Sequence, residues 1–193
     1  MRRCYYDTGL FLYFFNVKDE ITKSNEFYYL NNKIEKHISL FVTEEFLQVM
    51  QRDLKDLQEE YKTDSAYQTF MDVWDKLDTF ITPFKQENID LKEIKIDLYK
   101  ILNIIRNLNI DLVAERGAKN ALDIMDWFHL ITADYLGCDD FLTTDQRFGF
   151  LKKLYDDKTF KFKSLKDIIV FKLDKDTMQL NQTDTFYLPW GVI

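Results

Sequence analysis

A chain of 193 residues that is 46% hydrophobic and 16% aromatic can bury a good-sized core as a single domain, residues 1–193, without a second one being required. Its formal charge of −7 excludes a general electrostatic binder of nucleic acid, because affinity for phosphate backbones rests on Lys and Arg. A polyanionic substrate would have to be held by a local basic patch or by bound metal.

There is no uninterrupted apolar run of about 18 residues to cross a membrane, and Arg2 and Arg3 are followed at once by Asp7 in place of a signal-peptide core. The expectation is a cytoplasmic protein without a membrane partner. Cys4 and Cys138 form no metal motif and no disulfide framework, which suits a reducing compartment.

Taken in chain order, residues 2–6 (RRCYY) read as a short strand that stops at Asp7. Thr8 and Gly9 then make a tight exit before the apolar run Leu10 to Phe15, so the pattern is the first strand–helix unit of a parallel sheet. In open α/β sheets the functional crevice lies at the carboxyl ends of the strands, which is where Asp7 falls. Residues 26–37 (EFYYLNNKIEKH) read as a short helix, and Ile38 to Val42 as a second strand leading into a long amphipathic helix from about Thr43. Glu44 and Glu45 sit at that helix start; they are either N-terminal helix acids favoured by the macrodipole or acids carried to the same crevice edge as Asp7.

From Gln48 to about Asn109 the chain is charge-rich with apolar residues at helical spacing, which predicts a helical elaboration around 48–110. Within it, Asp78 to Lys85 (DTFITPFK) reads as an edge strand, since Pro83 cannot donate within a central one. Ala121 to Asp145 (ALDIMDWFHLITADYLGCDDFLTTD) then reads as a buried helix, a Gly turn, a strand Asp140 to Thr144, and an acid at the strand end. On the helix, Ala118, Leu122, Asp126, His129, Ala133 and Leu136 share one stripe, so Asp126 is an acid on a largely apolar face and must be paired. It either caps or pairs with an Arg, or it works with Asp145 in a cation site. His129 on the same stripe reads as a satisfied core histidine.

Beyond Asp145, the residues Arg147, Lys152, Lys153, Lys158, Lys161, Lys163 and Lys166 interleave with Phe148, Phe150, Tyr155, Phe160 and Phe162. That mixture is either a surface loop or a surface for single-stranded nucleic acid, held by charge and base stacking. Asp167 to Leu173 reads as the last strand.

Asp7-Thr8-Gly9 after the first strand, SLFVTEEFL over residues 39–47, and above all the spacing of Asp126, His129, Ala133, Gly137 and Thr143-Thr144-Asp145 resemble the PIN-domain nucleases, particularly the toxin nucleases of the VapC type. The resemblance implies a three-layer α/β/α sandwich with a central parallel sheet and, here, an extended helical insertion. It implies that Asp7, Glu45, Asp126 and Asp145 hold Mg²⁺ or Mn²⁺. Glu45 is taken over Glu44 because it follows Ser39 by six residues, as the family's glutamate follows its strand-end Ser. Thr8, Thr143 and Thr144 would orient carboxylates or hold water, and Arg147, Lys161 and Lys163 would contact substrate. The chain departs from the family after Asp145, where many members carry a further acid and Gln146, Arg147 and Phe148 stand here, and in its longer helical stretch before Asp126.

Oxygen donors of this kind suit Mg²⁺ or Mn²⁺, and carboxylates crowded into one cleft need a cation or protons. The expected activity is metal-dependent endoribonuclease action on single-stranded or structured RNA, as the toxin of a toxin–antitoxin pair, with a small antitoxin protein and a homodimer as partners by resemblance. The alternative is a non-catalytic PIN-like module that binds RNA or protein. A haloacid-dehalogenase-type phosphatase is disfavoured, because Gly9 stands where that chemistry wants a second Asp.

Overall fold

A computed structural model of the chain describes residues 1–17, 33–61, 76–77, 80–87, 106–107, 110, 113–114, 117, 119, 121–150, 162–174 and 179–187. Within these, strands β1 (Arg2–Tyr6), β2 (Ile34–Ser39), β3 (Phe84–Glu87), β4 (Asp140–Thr143), β5 (Asp167–Asp174) and β6 (Gln179–Tyr187) form one sheet in the order β3-β2-β1-β4-β5-β6. Every neighbouring pair is parallel except β5 and β6, which run antiparallel. The helices are α1 (Thr8–Val17), α2 (Leu40–Tyr61) and α3 (Ile124–Tyr135), with a short 3-10 helix at Gln146–Phe150. The chain is an α/β protein with a mostly parallel sheet.

Strand β1 is central, so both of its faces must be covered, and Cys4, Tyr5 and Tyr6 are all buried. Successive strand side chains point to opposite faces, and the two tyrosines show what lies on each. Tyr5 meets His129 of α3 and stacks on Phe141 of β4, whereas Tyr6 meets Phe14 of α1 and the edge of Phe84. Phe11, Phe15, Phe46, Phe80 and Phe84 complete an aromatic cluster on the Tyr6 side through edge-to-face and tilted contacts. Helices on both faces make the layers expected from the sequence. No described helix is long and apolar enough to cross a membrane.

Several boundaries differ from the sequence reading. Residues 34–37, expected at the end of a helix, are the first part of β2, and Leu40 to Val42, expected as strand, are the first turn of α2. The stretch IEKHIS lacks a clean alternation because β2 is buried between β1 and β3, and its polar side chains are paired: Ser39 with Tyr5, and His37 with Glu35. The edge strand near Pro83 exists but starts after the proline, at Phe84, with a turn at residues 82–83 before it. Helix α3 starts at Ile124, later than expected; β4 ends one residue early, at Thr143; and β6 was not anticipated. Most of the expected helical elaboration between Tyr61 and Leu122 lies outside the described residues, as does Ala118.

At the amino ends of β1 and β2, Glu35 contacts Lys85 at 3.0 Å, His37 Nε2 at 2.6 Å and Arg3 Nε at 3.1 Å. Lys85 and His37, working against burial, hold the Glu35 carboxyl at about 2, below its ordinary 4.5. A depressed carboxyl stabilises the fold in full above its unfolded pKa and loses that contribution as pH falls through the folded value. In pH-resolved melting, wild type should therefore lose stability relative to Glu35→Gln between pH 4.5 and about 2. Parallel acid limbs in the two proteins would contradict this.

Candidate active site

The acids singled out in the sequence come from four places and meet at one edge of the sheet. Asp7 follows β1, Asp145 follows β4, Glu45 is on the second turn of α2, which follows β2, and Asp126 is in the first turn of α3. All lie at the carboxyl ends of parallel strands or at helix ends facing them.

Asp7 is fixed from two sides. The Thr8 N–H donates to its Oδ1 at 2.8 Å and the Thr143 hydroxyl to its Oδ2 at 2.6 Å. Thr143 also accepts the Asp145 N–H at 2.9 Å, so a single hydroxyl ties the ends of β1 and β4 together. Gly9 is required by close approach: a Cβ there would lie 2.5 Å from Thr144 Oγ1. In Gly9→Ala the Thr144 hydroxyl must turn away or the start of α1 must shift from the end of β4, and a lowered Tm is the expected result.

Glu45 accepts from the Thr8 hydroxyl and from His129 Nε2, the latter at 3.1 Å. His129 is buried, and its Nδ1 lies 2.8 Å from the Tyr5 hydroxyl, which in turn lies 2.6 Å from Ser39 Oγ. With both imidazole nitrogens protonated, His129 donates through Nε2 to Glu45 and through Nδ1 to the Tyr5 oxygen, and the Tyr5 hydroxyl donates onward to Ser39 Oγ. Burial pulls the imidazole down, yet the Glu45 bond and the charges of Asp7, Glu45 and Asp126 raise His129 above its ordinary value, which favours that charged form. Glu45 is lowered despite burial, because His129 and Thr8 both donate to it. Burial raises Asp7, opposed by His129, Thr143 and the Thr8 amide.

Asp126 sits at the third position of α3, not in its middle. Asp123 is the N-cap, accepting the amides of Met125 at 2.9 Å and Asp126 at 3.0 Å, while Asp126 Oδ2 accepts the Asp123 N–H at 2.8 Å. This reciprocal capping box makes Asp123 structural. Asp126 also pairs with Arg147, whose Nη2 is 2.8 Å from Asp126 Oδ2 and 2.5 Å from Asp145 Oδ2. Both capping and pairing with an arginine, the roles set against a cation site for Asp126, are therefore present. Burial nonetheless pushes Asp126 up to about 7, with Asp123 and Asp145 adding to the rise.

The edge thus divides into two halves. Asp7 and Glu45 are served by threonine hydroxyls and His129; Asp126 and Asp145 are served by one guanidinium. The oxygen donors are of the right chemistry for Mg²⁺ or Mn²⁺. In this arrangement they do not fit one: among the described residues no three His, Cys, Asp or Glu side chains are grouped so as to hold a metal ion.

The other expected contacts fare unevenly. Arg147 is at the edge but directed at the chain's own acids, and the Thr144 carbonyl accepts from Gln146 at 3.3 Å. Lys161 lies outside the described residues. Lys163 is exposed, but its amide is held at 3.0 Å by Asp134 in the last turn of α3, just before β5 begins. That is the opposite end of the sheet from Asp7. Phe148 and Phe162, expected as stacking surfaces, are buried core residues. Lys163→Ala should therefore leave RNA affinity and its salt slope unchanged, where a phosphate contact would lower the slope by about one unit. Tyr5 and Ser39 were missed as supports of the site; the signal for them was only their position at strand ends.

No family model matches the chain, and no curated protein matches it significantly. Among solved structures it is similar to a chain from "Crystal structure of VapBC2 from Rickettsia felis bound to a DNA fragment from their promoter", at 16% identity and a TM-score of 0.41, over 77% of this chain and 92% of that one. Similarity of that size assigns the chain to no family, and what its cleft does is read from its own side chains.

Proposed function

We propose that the protein is an endoribonuclease of the toxin type, hydrolysing phosphodiester bonds of RNA; a Mg²⁺ or Mn²⁺ cofactor goes with the resemblance, although the acids as placed among the described residues form no group that fits one. The observation that carries the reading is the convergence of Asp7, Glu45, Asp126 and Asp145 at the carboxyl edge of the sheet, linked through His129 and Thr143 into one network. Burial raises Asp7 and Asp126, with Glu45 adding to the rise at Asp7 and Asp123 and Asp145 adding to that at Asp126, and packing alone does not explain acids held at such a cost. Within the network Thr8 and Thr143 fix the orientation of Asp7, and His129, braced by Tyr5, fixes Glu45. A small antitoxin protein covering this edge, and a second copy of the chain, are the partners that go with the reading.

A second reading, a non-catalytic PIN-like module that binds RNA or protein, is favoured by one observation: Arg147 already neutralises part of the charge of Asp126 and Asp145. Incubation of the purified protein with labelled single-stranded RNA and Mn²⁺ separates the two. Shortened products that EDTA suppresses are the expected result; RNA retained by the protein but left uncut would replace the nuclease with the module.

A further inference from the structure

A separate imbalance of charge lies at the other end of the sheet from Asp7. Asp140 and Asp167 are the first residues of β4 and β5 and stand side by side in the parallel register, on the same face as Cys4, which pairs with Asp140 from β1. Asp140 is completely buried and the Asp167 side chain is 10% exposed. Both are held by one guanidinium: Arg2 Nη2 donates to Asp140 Oδ1 at 2.6 Å and to Asp167 Oδ2 at 2.7 Å, and its Nε turns to Asp140 Oδ2. One positive charge therefore faces two acids.

The groups around the pair are accounted for element by element. The Cys4 thiol, 3.2 Å from Asp140 Oδ2, is pushed up by burial and by that acid, and so stays neutral. Arg3 is on the opposite face of β1, where it meets Glu35 and His37, and Lys166 pairs with Asp139. Lys36 of β2 is the register partner of Cys4, and Tyr187 of β6 that of Asp167. Helix α1 carries no charged residue.

Asp167 Oδ1 is buried and meets no hydrogen-bond donor among the described residues, while the Asp140 carboxyl is within its hydrogen-bond reach. An ionised carboxylate left that way suffers the full desolvation of that oxygen. A proton on it turns an orphan acceptor into a donor to its neighbour, and two carboxyl groups in contact hold one proton in common for the same reason.

We propose that Asp140 and Asp167 share one proton beneath the Arg2 fork, and that this proton is a clasp for β1, β4 and β5: bound, it closes the seam; released, it leaves two like charges buried side by side. The clasp is at the amino ends of the strands and assumes nothing about the acids at their carboxyl ends.

Burial and the Asp140 charge raise the Asp167 carboxyl above its ordinary 3.8, against the pull of Arg2. A carboxyl raised in the fold binds more protons there than in the unfolded chain, so stability falls as pH climbs from 3.8 through the folded value. Asp167→Asn has no proton to release, and its amide oxygen keeps the bond from Arg2. Its Tm minus that of wild type should grow by roughly 2–5 °C as pH rises from 3.8 towards neutrality. Parallel curves for the two proteins over that range overturn the proposal. Should Asp167→Asn fail to fold, the carboxyl carbon resonances of the wild type, assigned through bonds from the backbone, decide instead. Those of Asp140 and Asp167 should move in a common step above pH 3.8. An Asp140 carbon unmoved by that step, or no step above 3.8, overturns the shared proton.

Discussion

Arg2→Ala is expected to lower Tm by roughly 6–12 °C. Asp140 is completely buried at the start of β4, and its partners are the Arg2 guanidinium, through Nε to Oδ2 and through Nη2 to Oδ1 at 2.6 Å, and the Cys4 thiol at 3.2 Å. The same Nη2 reaches Asp167 Oδ2 at 2.7 Å, so one arginine serves the first residues of two adjacent strands. Removing it strands two carboxylates where water has little access. Breaking a buried pair costs about 3–5 kcal/mol; Arg2 is itself half-exposed, so water replaces part of the loss and about 3 kcal/mol is the better figure. Adding Asp140→Asn should recover part of the stability, because the amide no longer leaves a charge behind. A Tm within about 1 °C of wild type for Arg2→Ala alone would show that β1, β4 and β5 are joined without this pair.

What the sequence revealed of the fold was whatever followed from unbroken burial or a sharp punctuation mark. RRCYY before Asp7, and DFLT before Asp145, are short runs ending in an acid, and both are central strands. IEKHIS was misread because its pattern is set by neighbours: Ser39 is buried against Tyr5, and His37 against Glu35, contacts made across strands that local spacing does not record. Strand β6 was invisible for the same reason, its register with β5 being broken between Val170 and Phe171 and its residues largely polar.

At the site, Asp7 and Asp145 were legible from strand ends and Asp126 from its place on an apolar helical stripe, whereas Glu45 was separated from Glu44 only by the resemblance. The partner of Asp126 was not, since Arg147 reaches it by following Asp145 around a tight turn. Asp123 lies off the stripe of Asp126 in the sequence, but its role as the helix cap depends on where α3 begins, which the spacing of apolar residues did not fix.

That pair of acids gives the most direct test of the claim that the strand-end carboxylates carry the chemistry. Asp123 and Asp126 lie at the same helix end and cap it reciprocally, and their conservative replacements both keep the cap. Asn caps about as well as Asp, and in Asp126→Asn the new side-chain amide oxygen still accepts the Asp123 N–H. They differ in what else they face. Asp126 faces Arg147 and belongs to the charged network of His129 and Asp145, whereas Asp123 is exposed. The measurement is the initial rate of Mn²⁺-dependent cleavage of single-stranded RNA by Asp126→Asn beside Asp123→Asn, with melting curves confirming that both fold. Asp126→Asn should lose at least about 100-fold, the scale of removing one preorganised electrostatic group from a reaction centre, while Asp123→Asn stays close to wild type. Loss of cleavage in Asp123→Asn with activity kept in Asp126→Asn, or full activity in both, would contradict the assignment of this edge as the reaction centre.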